Sequence, residues 1–403
     1  MIEYILLEHK KDIYIMKETK KYKLLTTIRY LGDAFFYPFF ALYLKSIGLI
    51  ENKIGFILSI SPILSILLNP IYSYLCKEIN KTKTVLEIIT ILEGIIIILI
   101  SFSSNFYLVS FLTILLAIFG SCHYGLLDSI TSFYACNTNI NYSSIRIFGS
   151  CAYIVGTTLG GYVTKFFDFK VCFIIAGILF IICGGIYKSL LKFDNEEIVS
   201  KKVDIKNTLK YLFKNKSFIF FIIFYCLLMG TQATTDSFFS LYLESRGISS
   251  DQYGLIYSFF VLFEVVTLFI LNKTFKESKT KLTYPLLFVS SILLSIRMLV
   301  NFLDLNIYVV IILSSFRGIG YAFILHTAFS YVQKIVTKEA ASVAVMMLTF
   351  FYSIYLALWN NINGIIIKTY SYNTFYFVSL ILAVFAMALS LFKLFKKEST
   401  NEY

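Results

Sequence analysis

The sequence predicts an all-α integral membrane protein whose twelve transmembrane helices form two six-helix repeats, and three observations predict it. The first is composition. Of 403 residues, 58% are hydrophobic and only 15% charged, with a mean hydropathy of +0.76. A soluble domain of this length could not hide so much apolar surface, so lipid has to cover it. The second is the spacing of apolar runs. Stretches of about 20 residues, enough to cross a ~30 Å hydrocarbon core, lie at 24–47, 53–76, 84–103, 106–134, 145–167, 170–191, 217–243, 252–272, 282–303, 306–333, 339–367 and 373–395. Long runs of this kind, instead of ten-residue alternations, exclude a transmembrane barrel. The third is internal repetition. Phe39-Phe40-Ala41-Leu42-Tyr43-Leu44 with Ser46, Gly48, Gly55 and Ser59 recurs 199 positions later as Phe238-Phe239-Ser240-Leu241-Tyr242-Leu243 with Ser245, Gly247, Gly254 and Ser258. Duplication of a six-helix unit around a midplane site is a transporter architecture.

Residues 1–23 are mixed and basic and lack the apolar core and small-residue cleavage site of a signal peptide, so they read as a cytoplasmic tail. The first bundle is expected over 24–191. A polar stretch at 192–216 then serves as a cytoplasmic linker, a second bundle covers 217–395, and 396–403 form a short cytoplasmic tail. With the N-terminus inside, the inner tails and loops carry 26 Lys and Arg and the outer loops six. That asymmetry predicts a multi-pass protein of the cell membrane with both termini cytoplasmic. The net charge of +12 therefore reflects loops beside anionic lipid, and no nucleic acid partner is expected. The seven cysteines stand singly, without metal-ligand or disulfide-framework spacing; they read as small apolar residues, and neither metal nor cofactor is expected.

Ionisable residues within the apolar runs carry the functional signal, because each costs about 2.5–3.5 kcal/mol at the bilayer centre unless it has a partner or a wet cavity. They are Arg29 and Asp33, Glu93, Asp128, Arg146, Asp236, Glu264, Arg297 and Arg317, with His123 and His326 weaker. Arg29 and Asp33 are one turn apart and can pair with each other. Glu93 reads equally as a gap-filling hydrogen-bonder or a functional group. Arg317 and His326, nine positions apart, fall on opposite faces of a straight helix, and Arg317 is favoured. In the fifth run Arg146, Gly149, Ser150, Tyr153, Thr157, Gly160 and Thr164 share one face, which suits a cavity wall or a helix–helix seam; the arginine and tyrosine favour the cavity. Gln232 and Asp236 are also one turn apart. Five carboxylates face four arginines, so at least one acid lacks a fixed cation, as a proton carrier would.

Pro38-Phe39-Phe40, Asn69-Pro70 and above all Arg146-Ile147-Phe148-Gly149-Ser150, with Asp128 placed 18 residues before Arg146, resemble the major facilitator superfamily, in its branch of lactose permease and the nucleoside–proton symporters. The resemblance covers nearly the whole chain and implies the major facilitator fold. It implies that Asp128 and Arg146 belong to the substrate site and that an aromatic at Tyr153 stacks on a sugar ring. It further implies that Glu264, Asp236 and Arg297 serve recognition or proton coupling. The chain departs from the branch at Arg317 and Gly320, where a histidine and the proton-carrying glutamate stand in lactose permease, and at Tyr352, in place of a lysine. The loop at 73–81 also lacks the glycines and aspartate usual in the superfamily.

The expected function is proton-coupled symport of a small polar solute, a sugar or nucleoside, by a monomer working through alternating access. Asp128, Arg146, Tyr153, Ser150, Gln232 and Glu264 are the expected substrate ligands. Glu264, Asp236, Asp33, Arg297 and Arg317 are the expected coupling residues, Glu264 foremost. The alternatives are a carrier or exporter of an aromatic acid or drug-like compound, and a membrane scaffold. The chain carries no enzyme motif of the zincin, nucleophile-elbow or phosphate-loop kind.

Overall fold

A computed structural model describes residues 2–191, 205–274, 283–337 and 339–395. The linker expected at 192–216 and the tail at 396–403 therefore lie largely outside the described residues. Helices account for nearly all the rest: α1 (Ile2–Ser46), α2 (Glu51–Leu75), α3 (Ile79–Ser101), α4 (Phe106–Thr138), α5 (Ser143–Phe166), α6 (Phe169–Ser189), α7 (Lys216–Ser245), α8 (Ser250–Thr274), α9 (Thr283–Phe302), α10 (Ile307–Ile335), α11 (Ala341–Thr369) and α12 (Tyr372–Phe395). A ten-residue helix, Ile205–Lys214, precedes α7. Ten of these are long and apolar enough to span a membrane by length and composition alone. The two that are not, α1 and α5, are the ones diluted by Arg29 and Asp33 and by Arg146 with its glycine, serine and threonine neighbours. With them the described residues hold twelve long helices.

Residues 2–23 continue α1 as helix. Tyr22 stacks on Tyr134 of α4 at 4.2 Å between ring centroids, and Thr19 Oγ1 lies 2.7 Å from the Tyr134 hydroxyl. Three spans are interrupted midway. A turn at Ser121–Cys122 divides α4, Phe316 divides α10, and Cys226–Gly230 form a π-helical turn in α7.

The chain resolves into two compact units. One holds residues 1–43, 64–200 and 249–258; the other holds 44–63, 201–248 and 259–403. In the first, α3 packs most extensively on α6, and in the second α9 on α12. These are the third and sixth helices of each set. The α3–α6 contact is backbone on backbone: a Cβ added at Gly94 would stand 2.5 Å from the Gly177 carbonyl, and one at Gly177 would stand 2.5 Å from that of Gly94. Only glycine permits that approach. The repeated segment folds alike in both copies, with Gly48 at φ 84° and Gly247 at φ 82°.

Candidate functional site

The ionisable residues enclosed by the apolar runs gather within each unit. In the first, Arg29 and Asp33 of α1 and Glu93 of α3 are fully buried. Arg29 Nε donates to Asp33 Oδ2 at 3.2 Å and Nη1 donates to Glu93 Oε2. The guanidinium lies 4.1 Å over the Phe180 ring. Tyr124 of α4 donates its hydroxyl to Asp33 Oδ2 at 2.5 Å. Asp33 Oδ1, Glu93 Oε1 and Arg29 Nη2 have no hydrogen-bond partner. The break in α4 serves this arrangement: it falls just before His123 and Tyr124, and Gly120, where a Cβ would stand 3.5 Å from the Glu93 carboxylate, leaves that side chain room.

His123 has an assignable tautomer. Thr90 Oγ1 spends its proton on the Leu86 carbonyl at 2.6 Å, so toward His123 Nδ1, 3.2 Å away, it can only accept. Nδ1 therefore carries hydrogen, and it also stands 3.4 Å from Glu93 Oε1. Nε2 lies 3.1 Å from the Tyr187 hydroxyl, which can donate to it. A neutral imidazole satisfies both contacts. Two carboxylates then share the single guanidinium of Arg29.

Asp128 and Arg146, expected as a pair, make no direct ion pair. Tyr142 stands between them: its hydroxyl donates to Asp128 Oδ1 at 2.7 Å, and it lies beside Arg146. Arg146 stacks 4.4 Å over the Tyr30 ring, and its Nη1 is buried without a partner. The polar face of α5 is largely a seam. A Cβ at Gly149 would meet Tyr30 at 2.7 Å and one at Gly160 would meet Phe39 at 2.7 Å, while Thr157 Oγ1 lies 2.6 Å from Ser258 Oγ. At these positions glycines admit the neighbouring helix, and the face is a seam there. Ser150 is half-buried, and so is Tyr153, whose ring lies 6.2 Å from that of Tyr257.

In the second unit Asp236 of α7 receives two arginines. Arg297 Nη1 of α9 donates to Oδ1 at 2.6 Å and Arg317 Nε of α10 donates to Oδ2 at 2.7 Å. Phe239 lies under the Arg297 guanidinium at 4.6 Å. Gln232, one turn before Asp236, is buried with its amide nitrogen unpartnered. The break at Phe316 directly precedes Arg317, as the break in α4 precedes His123. Glu264 is half-buried on α8, and its backbone nitrogen would stand 2.9 Å from a Cβ at Gly318.

Sequence reasoning singled out the arginines and carboxylates and the pairing of Arg29 with Asp33, but missed the links between helices. Tyr142 had a readable signal, one helical turn before Arg146. Tyr124, and the linkage of Glu93 to His123, had none in a single sequence. Among the described residues no three His, Cys, Asp or Glu side chains are grouped to hold a metal ion.

Comparison with known proteins agrees with this architecture. The MFS_1 like family model matches residues 30–378. The uncharacterized transporter YwbF of Bacillus subtilis (strain 168) is 27% identical over 320 residues, spanning 79% of this chain and 78% of its own length. The probable 3-phenylpropionic acid transporter of Escherichia coli (strain K12) is 23% identical over 254 residues, 61% of this chain and 65% of that protein. Among solved structures, a point mutant of the nucleoside transporter NupG superimposes with a TM-score of 0.82 at 15% identity, over 94% of this chain and 100% of its own. A bacterial homolog of the human lysosomal transporter Spinster, inward-facing and unoccupied, gives 0.70 at 11% identity, over 94% of this chain and 96% of its own. At such identities the structural likenesses establish fold. The family match covers most of the sequence, and so the chain belongs to the MFS_1-like family: it is a multi-pass membrane transporter of the major facilitator type, not an enzyme.

Proposed function

We propose that this transporter carries a small polar solute in symport with protons, and that the coupling proton resides on the Asp33–Glu93 pair. The observation that carries the reading is the sharing of one guanidinium, Arg29, by two fully buried carboxylates. An uncompensated buried charge costs several kcal/mol, and a proton on the pair, for which Asp33 Oδ1 is the oxygen that no donor faces, removes it. Asp236 is a poorer carrier, because two arginines hold it. Glu264, half-buried, is the next residue to test.

The experiment is uptake into proteoliposomes of labelled sugars, nucleosides and aromatic acids, with and without an imposed pH gradient. Asp33→Asn and Glu93→Gln should each abolish accumulation against a gradient while solute-for-solute exchange survives. Accumulation by both variants at the wild-type level would move the proton elsewhere. Wild-type uptake indifferent to the pH gradient would replace symport with facilitated diffusion.

For the solute, a sugar or nucleoside is supported by Asp128, Tyr142 and Arg146, which together offer hydroxyl-binding groups beside the Tyr30 ring, with Ser150 and Tyr153 further along α5. An aromatic acid is the second reading. It is favoured by the name of the Escherichia coli relative and by the two arginines converging on Asp236. In either case the inner loops, the linker at 192–216 and both termini face the cytoplasm.

A further inference from the structure

We propose that the Nε–Nη2 edge of Arg297 binds the carboxylate of a small organic acid with an apolar body. This deepens the second of the two readings of the solute, the organic acid, on which it rests for the need to hold a solute, and it names the group that recognises the acid. A guanidinium offers five N–H donors in a rigid fork. In Arg297 the Nη1 group is committed to Asp236 at 2.6 Å. Nε and Nη2 meet no acceptor at all, although the residue is fully buried. Those two nitrogens form one side of the guanidinium, and their parallel N–H bonds match the two oxygens of a carboxylate. A buried charged donor without a partner is expensive and rare in native structures. Two such donors on one edge mark a place for an acceptor with two oxygens in a plane.

The surroundings narrow the class. Phe239 lies 4.6 Å from the guanidinium carbon and Phe260 lies 5.9 Å from it, so aromatic rings fix the plane of the group. Asn301, one turn further along α9, is fully buried with both its amide nitrogen and oxygen unpartnered. Tyr376 of α12, within electrostatic reach of Arg297, is fully buried with an unpartnered hydroxyl. An amide and a phenol can each add one hydrogen bond to a carboxylate already held by the fork. A carboxylate brings two fixed, charged acceptors to two parallel donors where a single hydroxyl brings one, and the Phe239 and Phe260 rings suit an apolar body. Arg297 is fully buried here, so the proposal requires alternating access to open its free edge.

Equilibrium binding to the purified protein in detergent tests this. Phenylacetate, 4-phenylbutyrate and cyclohexanecarboxylate are compared with their primary amides by thermal shift. The acids should raise the melting midpoint and the amides should not. Arg297→Lys keeps a cation facing Asp236 but lacks the fork, and should raise the half-saturating acid concentration about ten- to a hundredfold. Equal shifts by acid and amide overturn the proposal, as does the absence of a shift by every acid, or undiminished acid binding in Arg297→Lys. The acid–amide comparison uses the wild-type protein, so a variant that fails to fold leaves it decidable. No membrane or gradient enters the measurement: acid binding without proton-driven uptake would sink the coupling alone, and proton-driven uptake without acid binding would sink this site alone.

Discussion

Tyr142 converts two residues that do not touch into one unit. Its hydroxyl holds Asp128 at 2.7 Å and also interacts with Arg146, so the acid and the cation act through a phenol. Removing that hydroxyl and removing the carboxylate charge should be redundant. Tyr142→Phe and Asp128→Asn should each slow uptake of the labelled solute, and the double variant should be little worse than either, a coupling of about 1 kcal/mol. Additive losses would mean that the two residues act separately. At this scale the sequence shows which charges lie inside apolar runs and hides how most of them meet. A charge inside an apolar run is visible because its cost is intrinsic to the residue. Its partner is not, since Glu93 and His123 lie 30 positions apart on different helices and nothing in a single sequence encodes that distance.

Elements repeat the same lesson with glycine. A Cβ at Gly55 would stand 2.4 Å from the Asn360 carbonyl, and one at Gly254 would stand 2.4 Å from that of Thr157. Gly55 and Gly254 are 199 positions apart, one in each copy of the repeated segment. Each contact admits a backbone where any side chain would collide, and backbone cannot turn aside as a flexible side chain can. Gly55→Ala and Gly254→Ala should therefore each cost about 1–3 kcal/mol, read as a lower melting midpoint in detergent. Gly185→Ala, where a Cβ meets nothing within 4 Å, should be neutral or slightly stabilising, by up to about 1 kcal/mol. Equal midpoints for all three variants would refute the seams. The helices themselves were legible from apolar run length, but the interruptions in α4, α7 and α10 were not, because they occur inside unbroken apolar stretches where hydropathy does not change.

For the whole molecule, duplication was the most legible property, and the structure carries it from sequence into geometry: paired left-handed glycines at Gly48 and Gly247, and third-on-sixth helix packing in each set. Orientation rests on the distribution of lysines and arginines. With the seven native cysteines replaced, a cysteine introduced at Ser104 should react with an impermeant thiol reagent from outside intact cells. One at Lys77 should react only once the cells are opened, and the reverse pattern would invert the topology. The π-helical turn at Cys226–Gly230 has a consequence for how this chain can vary in length. Its hydrogen bonds close on the fifth residue instead of the fourth, so α7 holds a spare residue there. A lineage that lost one residue from that window would regularise the turn and leave Asp236 aimed at Arg297 and Arg317. The same loss a few residues later would swing one flank of the helix by about 100° and part them. Within α7, heredity has one short place where a codon is expendable, and beyond it every codon counts toward the bearing of that aspartate.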